Sequence, residues 1–242
     1  MSLPQIVAHR GSAADRPENA LSSFVAAAES GADQIELDVH LSADNELVVI
    51  HDAMLEETTL GTGPVSALPL AQLQEIRLRG MEETIPTLAG VLDAVGNRIH
   101  TRIEIKRNAM GQDYEGLAER IIDAVESRGL KDRVTIMCFQ QNSLLPFARR
   151  GYETSLSFSR NFGSEKDLKG LVTKLADAGI SDIGYFFHEL HDADIETIHN
   201  AGLTVGVWTV NGLPRLDYWL RQPISYILTD QAEMALRLRA AM

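Results

Sequence analysis

Ionisable residues crowd the ends of short apolar segments. His9 closes "QIVAH", with Arg10 and Gly11 directly behind it. Glu36 and Asp38 stand two apart in "QIELDV", Glu104 and Lys106 stand two apart in "TRIEIK", and His51 follows "LVVI". Residues two apart on a strand project to the same side, so each of these pairs shares a face. Carboxylates are rarely buried without partners, and three of them converging on one mouth would repel one another. A hard divalent cation relieves that repulsion, and all-oxygen ligation favours Mg2+ or Ca2+ over zinc. The same residues also admit a metal-free network in which Asp38 pairs with Lys106. The choice between the two turns on what holds the segments together.

Those segments recur along the chain. Strands are expected at 5–9, 34–39, 101–106, 133–137, 154–158, 181–185, 204–209 and 225–230, each followed by a helix-like stretch. Apolar residues at helical spacing mark several of the latter: Leu21, Phe24, Val25 and Ala28; Leu88, Val91, Leu92 and Val95; Leu168, Leu171, Val172 and Leu175. Glycines at 31, 96, 129, 151, 179 and 202 close helices and are expected to take the left-handed conformation there. Eight βα units predict a (β/α)8 TIM barrel, α/β in class, with its site at the C-terminal ends of the strands. An open doubly wound sheet is the competing architecture, but no glycine-rich phosphate loop follows the first strand.

"LVVIH" cannot be a ninth parallel strand, because the link from "QIELDV" is too short for a crossover. It is expected to fold back as a β-hairpin after strand 2, with a two-residue turn at Asp44-Asn45. That register sets His51 across from Asp38 on a shared face. Residues 53–86 then form a small insertion, and residues 1–242 read as one domain. A loop of that length commonly covers or lines a site.

Composition narrows the function. A net charge of −12 disfavours a phosphate-tracking nucleic-acid surface. No run of apolar residues is long enough to insert in a membrane. No basic region followed by an apolar run is visible, so a cytoplasmic location is expected. The single cysteine, Cys138, excludes an intrachain disulfide framework and a cysteine-rich zinc site. Nothing in the sequence fixes an oligomeric state.

Taken together, "HRG" (9–11), "PEN" (17–19), "GAD-IELDV" (31–39), "HD" (51–52), "TTLGTG" (58–63), "IPTL" (85–88), "IEIK" (103–106), "WTVN" (208–211) and "LTD" (228–230) resemble the glycerophosphodiester phosphodiesterases. The likeness spans nearly the whole chain, in that family's order. It implies a barrel enzyme that hydrolyses glycerophosphodiesters, such as glycerophosphocholine, to sn-glycerol 3-phosphate and an alcohol with a divalent metal, Mg2+ or Ca2+. By this resemblance Glu36, Asp38 and Glu104 fill the metal-ligand positions, His9 and His51 the acid/base positions, and Arg10 and Lys106 the phosphate contacts. It also implies that the substrate's own glycerol hydroxyl can attack first, giving a cyclic phosphate. The chemistry is coherent: cleavage needs charge screening, an activated nucleophile and a protonated leaving group, and imidazole titrates near neutrality.

Three positions depart from the family pattern: Ala20 after "PEN", Glu57 before "TT", and Ala232 after strand eight. They bear on substrate choice, since none falls on a metal or histidine position. Trp208, at a strand end, is a candidate glycerol contact and equally a packing residue. "HELHD" (188–192) reads as a loop or cap, His199 as a helix-surface residue and His100 as a residue of the barrel bottom. His40 is expected to point away from the metal face. Two other functions compete: a lysophospholipase D acting on lysophospholipids, and a barrel that binds phosphate esters without turning them over.

Overall fold

All eight expected parallel strands form, and they close on themselves. In the computed structural model, which describes residues 3–11, 13–14, 16–161 and 167–242, the chain runs β1 (Gln5–Ala8), α1 (Leu21–Glu29), β2 (Gln34–Leu41), β3 (Leu47–Val49), α2 (Leu70–Leu73) and α3 (Leu88–Val95). It continues through β4 (His100–Ile105), α4 (Leu117–Glu126), β5 (Val134–Cys138), α5 (Gln141–Ala148), β6 (Glu153–Phe158) and α6 (Leu168–Asp177). β7 (Asp182–Phe186), α7 (Asp192–Asn200), β8 (Thr204–Trp208), α8 (Leu213–Leu220), β9 (Tyr226–Thr229) and α9 (Ala232–Ala240) complete it. The sheet order is β1-β9-β8-β7-β6-β5-β4-β2-β3, and pairing of β1 with β2 shuts the barrel. The open-sheet alternative is thereby excluded, and the fold is a (β/α)8 TIM barrel.

Strand alternation sorts the side chains. Ile35, Leu37 and Val39 of β2 point outward into the apolar layer beneath the helices, which they share with Phe24, Val91 and Ile121. Glu36 and Asp38 therefore face inward, and both are fully buried. Below them the interior is filled by Val7, Tyr226 and Leu228. Arg102 crosses this floor with its guanidinium 3.7 Å from the Tyr226 ring centroid, bonded to Gln34 and Asp182 at 2.7 and 3.1 Å. Gly206 leaves room for the Tyr226 ring, which a Cβ there would overlap.

Two local expectations fail. Gly31, Gly129, Gly151, Gly179 and Gly202 do take left-handed φ between 64° and 83°. Gly96 is right-handed instead, at φ −59° and ψ −31°. The chain makes a further turn there, with the Arg98 and Ile99 amides both bonded to the Val95 carbonyl. A Cβ on Gly96 would lie 2.5 Å from Leu130 Cδ1, so glycine serves packing rather than handedness at this helix end.

The hairpin register is also one residue off. Val39 pairs with Val49, His40 with Val48 and Leu41 with Leu47. The turn spans three residues, closed by the Ser42 amide on the Glu46 carbonyl at 3.0 Å, with Asn45 left-handed at φ 61°. Ser42 Oγ fixes this loop, donating to Asp44 Oδ1 and accepting from the Glu46 amide. Such side-chain bonds stabilise the longer turn. Ile50, not His51, is thus the residue across from Asp38, with its amide 3.1 Å from the Asp38 carbonyl.

The insertion carries its own small core. Leu55, Val65, Leu73, Leu78 and Ile85 pack on Ala20, Val48 and Ile50, and so cover β2 and β3 where they extend beyond the barrel. At the opposite end, His100 begins β4 and bonds Thr135 Oγ1 at 2.8 Å, as its place near the bottom predicts. Burial, helped by the nearby Arg102 charge, pushes its pKa down to about 4. The folded value lies below the unfolded one of about 6.5, so the folded state binds fewer protons between the two. His100 therefore stabilises fully above pH ~6.5, and this is lost as pH falls toward 4, at up to about 1.4 kcal/mol per pH unit. Urea unfolding at pH 7 and pH 5 should show that loss, with a flatter dependence in His100→Gln.

Candidate active site

The loop after β1 is bent to serve β2. Arg10 adopts a left-handed φ of 52° and Gly11 one of 88°. A Cβ on Gly11 would sit 2.8 Å from Ser23 Cβ, so only glycine lets this turn lie against α1. The bend aims the Arg10 amide at Glu36 Oε2, 3.0 Å away. "PEN" has an equally local explanation. Glu18 grips Arg10 Nη1 through both carboxylate oxygens, at 2.9 and 2.8 Å. Asn19, itself left-handed at φ 56°, donates from Nδ2 to Asp38 Oδ2 at 2.8 Å.

Glu36, Asp38 and Glu104 meet at the barrel mouth, all buried, with one carboxylate oxygen from each lying within 4.8 Å of the others. β2 and β4 pair in register there, Asp38 beside Glu104. Lys106 Nζ sits between two of the three, donating to Glu104 Oε1 at 2.7 Å and lying 3.0 Å from Asp38 Oδ1 without hydrogen-bond directionality. Burial, then the charge of Asp38, pushes Glu36 up to about 8. Burial opposes ionisation of Asp38 too, but the charges of Lys106, His51 and Arg10 outweigh it and hold Asp38 well below the usual range.

Three buried polar atoms of this cluster have no hydrogen-bond partner: Glu36 Oε1, Asp38 Oδ1 and Arg10 Nε. Orphaned buried groups normally cost folding free energy, so their gathering in one place marks it as built for something else. Two are acceptors in a cluster of carboxylates, Asp38 Oδ1 with the Lys106 ammonium 3.0 Å away but not directed at it, and a divalent cation would satisfy both. The third is a donor suited to an anion. The donor set is all oxygen, as Mg2+ or Ca2+ requires.

Both histidines flank the cluster, each tied through Nδ1. His9 Nδ1 meets Asp230 Oδ1 at 2.6 Å, and its Nε2 lies 3.9 Å from Glu36 Oε2. Asn211 Nδ2 donates to the other Asp230 oxygen at 2.6 Å, while Asn211 Oδ1 accepts from the Asp230 amide and the Thr229 hydroxyl. Burial disfavours the His9 imidazolium, but the Asp230 hydrogen bond and the Glu36 charge outweigh it and raise the pKa. His51 Nδ1 lies 3.0 Å from Asp52 Oδ1. His51 reaches the mouth because β3 ends at Val49 and the chain bends, not through strand pairing.

His40 corrects a further expectation. A period of two keeps it on the same face as Glu36 and Asp38, not the opposite one. It is buried one step beyond Asp38, with Nδ1 2.9 Å from Tyr114 Oη and Nε2 3.1 Å from the His51 carbonyl. Burial pushes its pKa down to about 4. Trp208 spends its indole N–H on the Gly184 carbonyl at 2.6 Å and packs edge-on to Phe139, leaving part of its ring exposed at the mouth. His191 caps α7, while His188 lies on Phe187 with ring centroids 3.9 Å apart, and among the described residues "HELHD" joins no metal-binding set.

The glycerophosphoryl diester phosphodiesterase family model matches residues 9–234. This chain belongs to that family. A glycerophosphodiester phosphodiesterase of Caldanaerobacter subterraneus subsp. tengcongensis is 28% identical over 240 residues, covering 96% of each chain. A crystal structure from Agrobacterium tumefaciens bearing the same family name superposes with a TM-score of 0.93 at 23% identity, covering 99% of this chain and 98% of that one. An Oleispira antarctica phosphodiesterase in complex with sn-glycerol 3-phosphate gives 0.82 at 23% identity, covering 98% and 96%. As a member of the family, this glycerophosphodiester phosphodiesterase is a phosphoric diester hydrolase.

The motifs "LTD", "WTVN", "PEN" and "HD" contain Asp230, Asn211, Glu18, Asn19 and Asp52, but nothing in the sequence gives these residues a task. The partners are hidden, because Asp230 lies 221 residues from His9.

Proposed function

We propose that the enzyme hydrolyses glycerophosphodiesters, glycerophosphocholine among them, to sn-glycerol 3-phosphate and an alcohol. Glu36, Asp38 and Glu104 would hold one divalent cation, Mg2+ or Ca2+, with His9 and His51 as acid and base and Arg10 and Lys106 on the phosphate. The observation that carries this reading is the meeting of three orphaned buried atoms, Glu36 Oε1, Asp38 Oδ1 and Arg10 Nε, between the two histidines. When bound, such an ion supplies Lewis-acid screening of the phosphate charge.

The rest of the chemistry falls to the chain. Arg10, with Nη1 anchored by Glu18 and Nε 3.5 Å from Asp38 Oδ2 without a hydrogen bond, offers that Nε to a phosphate oxygen. Lys106 adds a second positive charge within the same negative field. Each imidazole has its Nδ1 bonded to a carboxylate, which fixes ring orientation and leaves Nε2 for the substrate. One takes the proton of the attacking hydroxyl, from water or the substrate's own glycerol, and the other protonates the departing alcohol. The exposed part of the Trp208 ring offers a surface for the glycerol.

The insertion favours soluble diesters over membrane phospholipids. Leu55, Leu73 and Leu78 are committed to its core, and its exposed large apolar residues are Met54 and Leu60. No helix among the described residues is long and apolar enough to cross a membrane. A cytoplasmic location belongs to the same reading.

The test is release of the alcohol from glycerophosphocholine, glycerophosphoethanolamine and a lysophosphocholine, each with and without chelator, with glycerol 3-phosphate as the co-product of the first two and lysophosphatidate as that of the third. Release from the two soluble diesters, lost on chelation, is the expected result. No release from any of them with Mg2+, Mn2+ or Ca2+ present overturns the proposal. Faster release from the lysophospholipid selects a lysophospholipase D instead.

A further inference from the structure

His51 stands on a bend after the last residue of a three-residue strand, an unfavourable place to hold a group to sub-ångström accuracy. His9 has the Asp230–Asn211 pair fixed to the barrel wall. Among the described residues the His51 side chain bonds its neighbour Asp52, and both are about one-third exposed. What steadies His51 is found on its main chain. Its carbonyl accepts from His40 Nε2, and His40 is rooted in β2 two residues beyond Asp38.

The direction of these bonds follows from the atoms. A carbonyl can only accept, so His40 carries its proton on Nε2. Neutral in its buried site, His40 leaves Nδ1 to accept from the Tyr114 hydroxyl, whose oxygen is 2.9 Å away. The Tyr114 ring meets the imidazole edge-on, at 5.7 Å between centroids. Tyr114 thus donates to His40, and His40 donates to the His51 carbonyl. The short 3-10 turn Val65–Ala67 of the insertion lies against β2. Ile50, the residue before His51, is at the same time buried in the insertion core.

We propose that His40, locked by Tyr114, is the positioning residue for His51, so that β2 and the insertion core together act as the mount of one half of the acid–base pair. The inference rests on the two-histidine reading above. His40 touches neither substrate nor cation in this account. It acts by fixing where His51 Nε2 stands relative to the phosphate, and small misplacements of reacting groups are costly in rate.

Three variants separate positioning from bulk stability. His40→Leu removes the donor. His40→Gln keeps an N–H near the place of Nε2. Tyr114→Phe removes the group that fixes the tautomer. With glycerophosphocholine and saturating Mg2+ or Ca2+, His40→Leu should lower kcat by about tenfold or more with KM within about twofold of the parent. His40→Gln should recover most of that loss, and Tyr114→Phe should fall between, at a Tm close to the parent's. A parental kcat in His40→Leu overturns the proposal. So does a His40→Gln variant as impaired as His40→Leu, because then shape rather than the N–H is what matters. Should His40→Leu fail to fold, Tyr114→Phe decides: reduced kcat at parental Tm supports the proposal and parental kcat overturns it. His51→Ala completes the series, since full turnover there sinks the two-histidine reading itself, whereas an inactive His51→Ala beside a fully active His40→Leu sinks only the positioning role.

Discussion

Glu36→Gln should lose catalysis and gain stability at once. Chelation should bring glycerol 3-phosphate release by the parent enzyme to background, with recovery on adding Mg2+ or Ca2+. Glu36→Gln should lower kcat/KM on the order of 10³-fold even with the ion present. The stability half of this expectation comes from the same cluster. Without a cation, Glu36 is a fully buried carboxylate beside Asp38, and its pKa is pushed up to about 8. Glutamine keeps the acceptor for the Arg10 amide and removes the ionisable group. In chelator, Glu36→Gln should therefore melt above the parent, and the order should narrow or reverse as the ion is restored. A substitution that merely damaged the fold would lower both activity and Tm. Differential scanning fluorimetry beside the activity assay tells the two apart.

The second large effect separates the histidines. His9→Ala and His51→Ala should each cost about 10²- to 10⁴-fold on glycerophosphocholine, the range for losing a positioned acid or base. A p-nitrophenyl diester of glycerol phosphate has a leaving group that departs without a proton. The variant lacking the acid should recover most of its turnover on that substrate, and the variant lacking the base should not. Equal recovery of both, or of neither, contradicts a division of labour between His9 and His51. Parent activity on glycerophosphocholine should be bell-shaped in pH, because one imidazole must begin neutral and the other protonated.

Much of this arrangement is legible in the sequence, because the signals are local. Ile35, Leu37 and Val39 alternate with Glu36 and Asp38, so strand formation alone fixed which residues face inward. The barrel then decided that inward means the mouth, and the carboxylate trio followed from Asp38 and Glu104 lying side by side. The hairpin register was not legible from turn length alone, because Ser42 bonds to both Asp44 and Glu46 and stabilises a three-residue turn. Asp230 could not be assigned to His9 across so long a separation in sequence, although barrel closure between β1 and β9 makes them neighbours. Arg102, Asp182 and Tyr226 form the floor beneath the site by the same closure and carry no sequence signature of their own. His40 shares the inward face of Glu36 and Asp38, contrary to expectation, and its place in β2 two residues after Asp38 is enough to dictate this.

Anomalous diffraction from crystals soaked in Mn2+ tests the central claim most directly. The account predicts one strong peak at the barrel mouth, with oxygens of Glu36, Asp38 and Glu104 all within about 2.0–2.6 Å of it and Lys106 drawn off Asp38. A mouth without such a peak, with Lys106 still bridging Asp38 and Glu104 at saturating Mn2+, would contradict it.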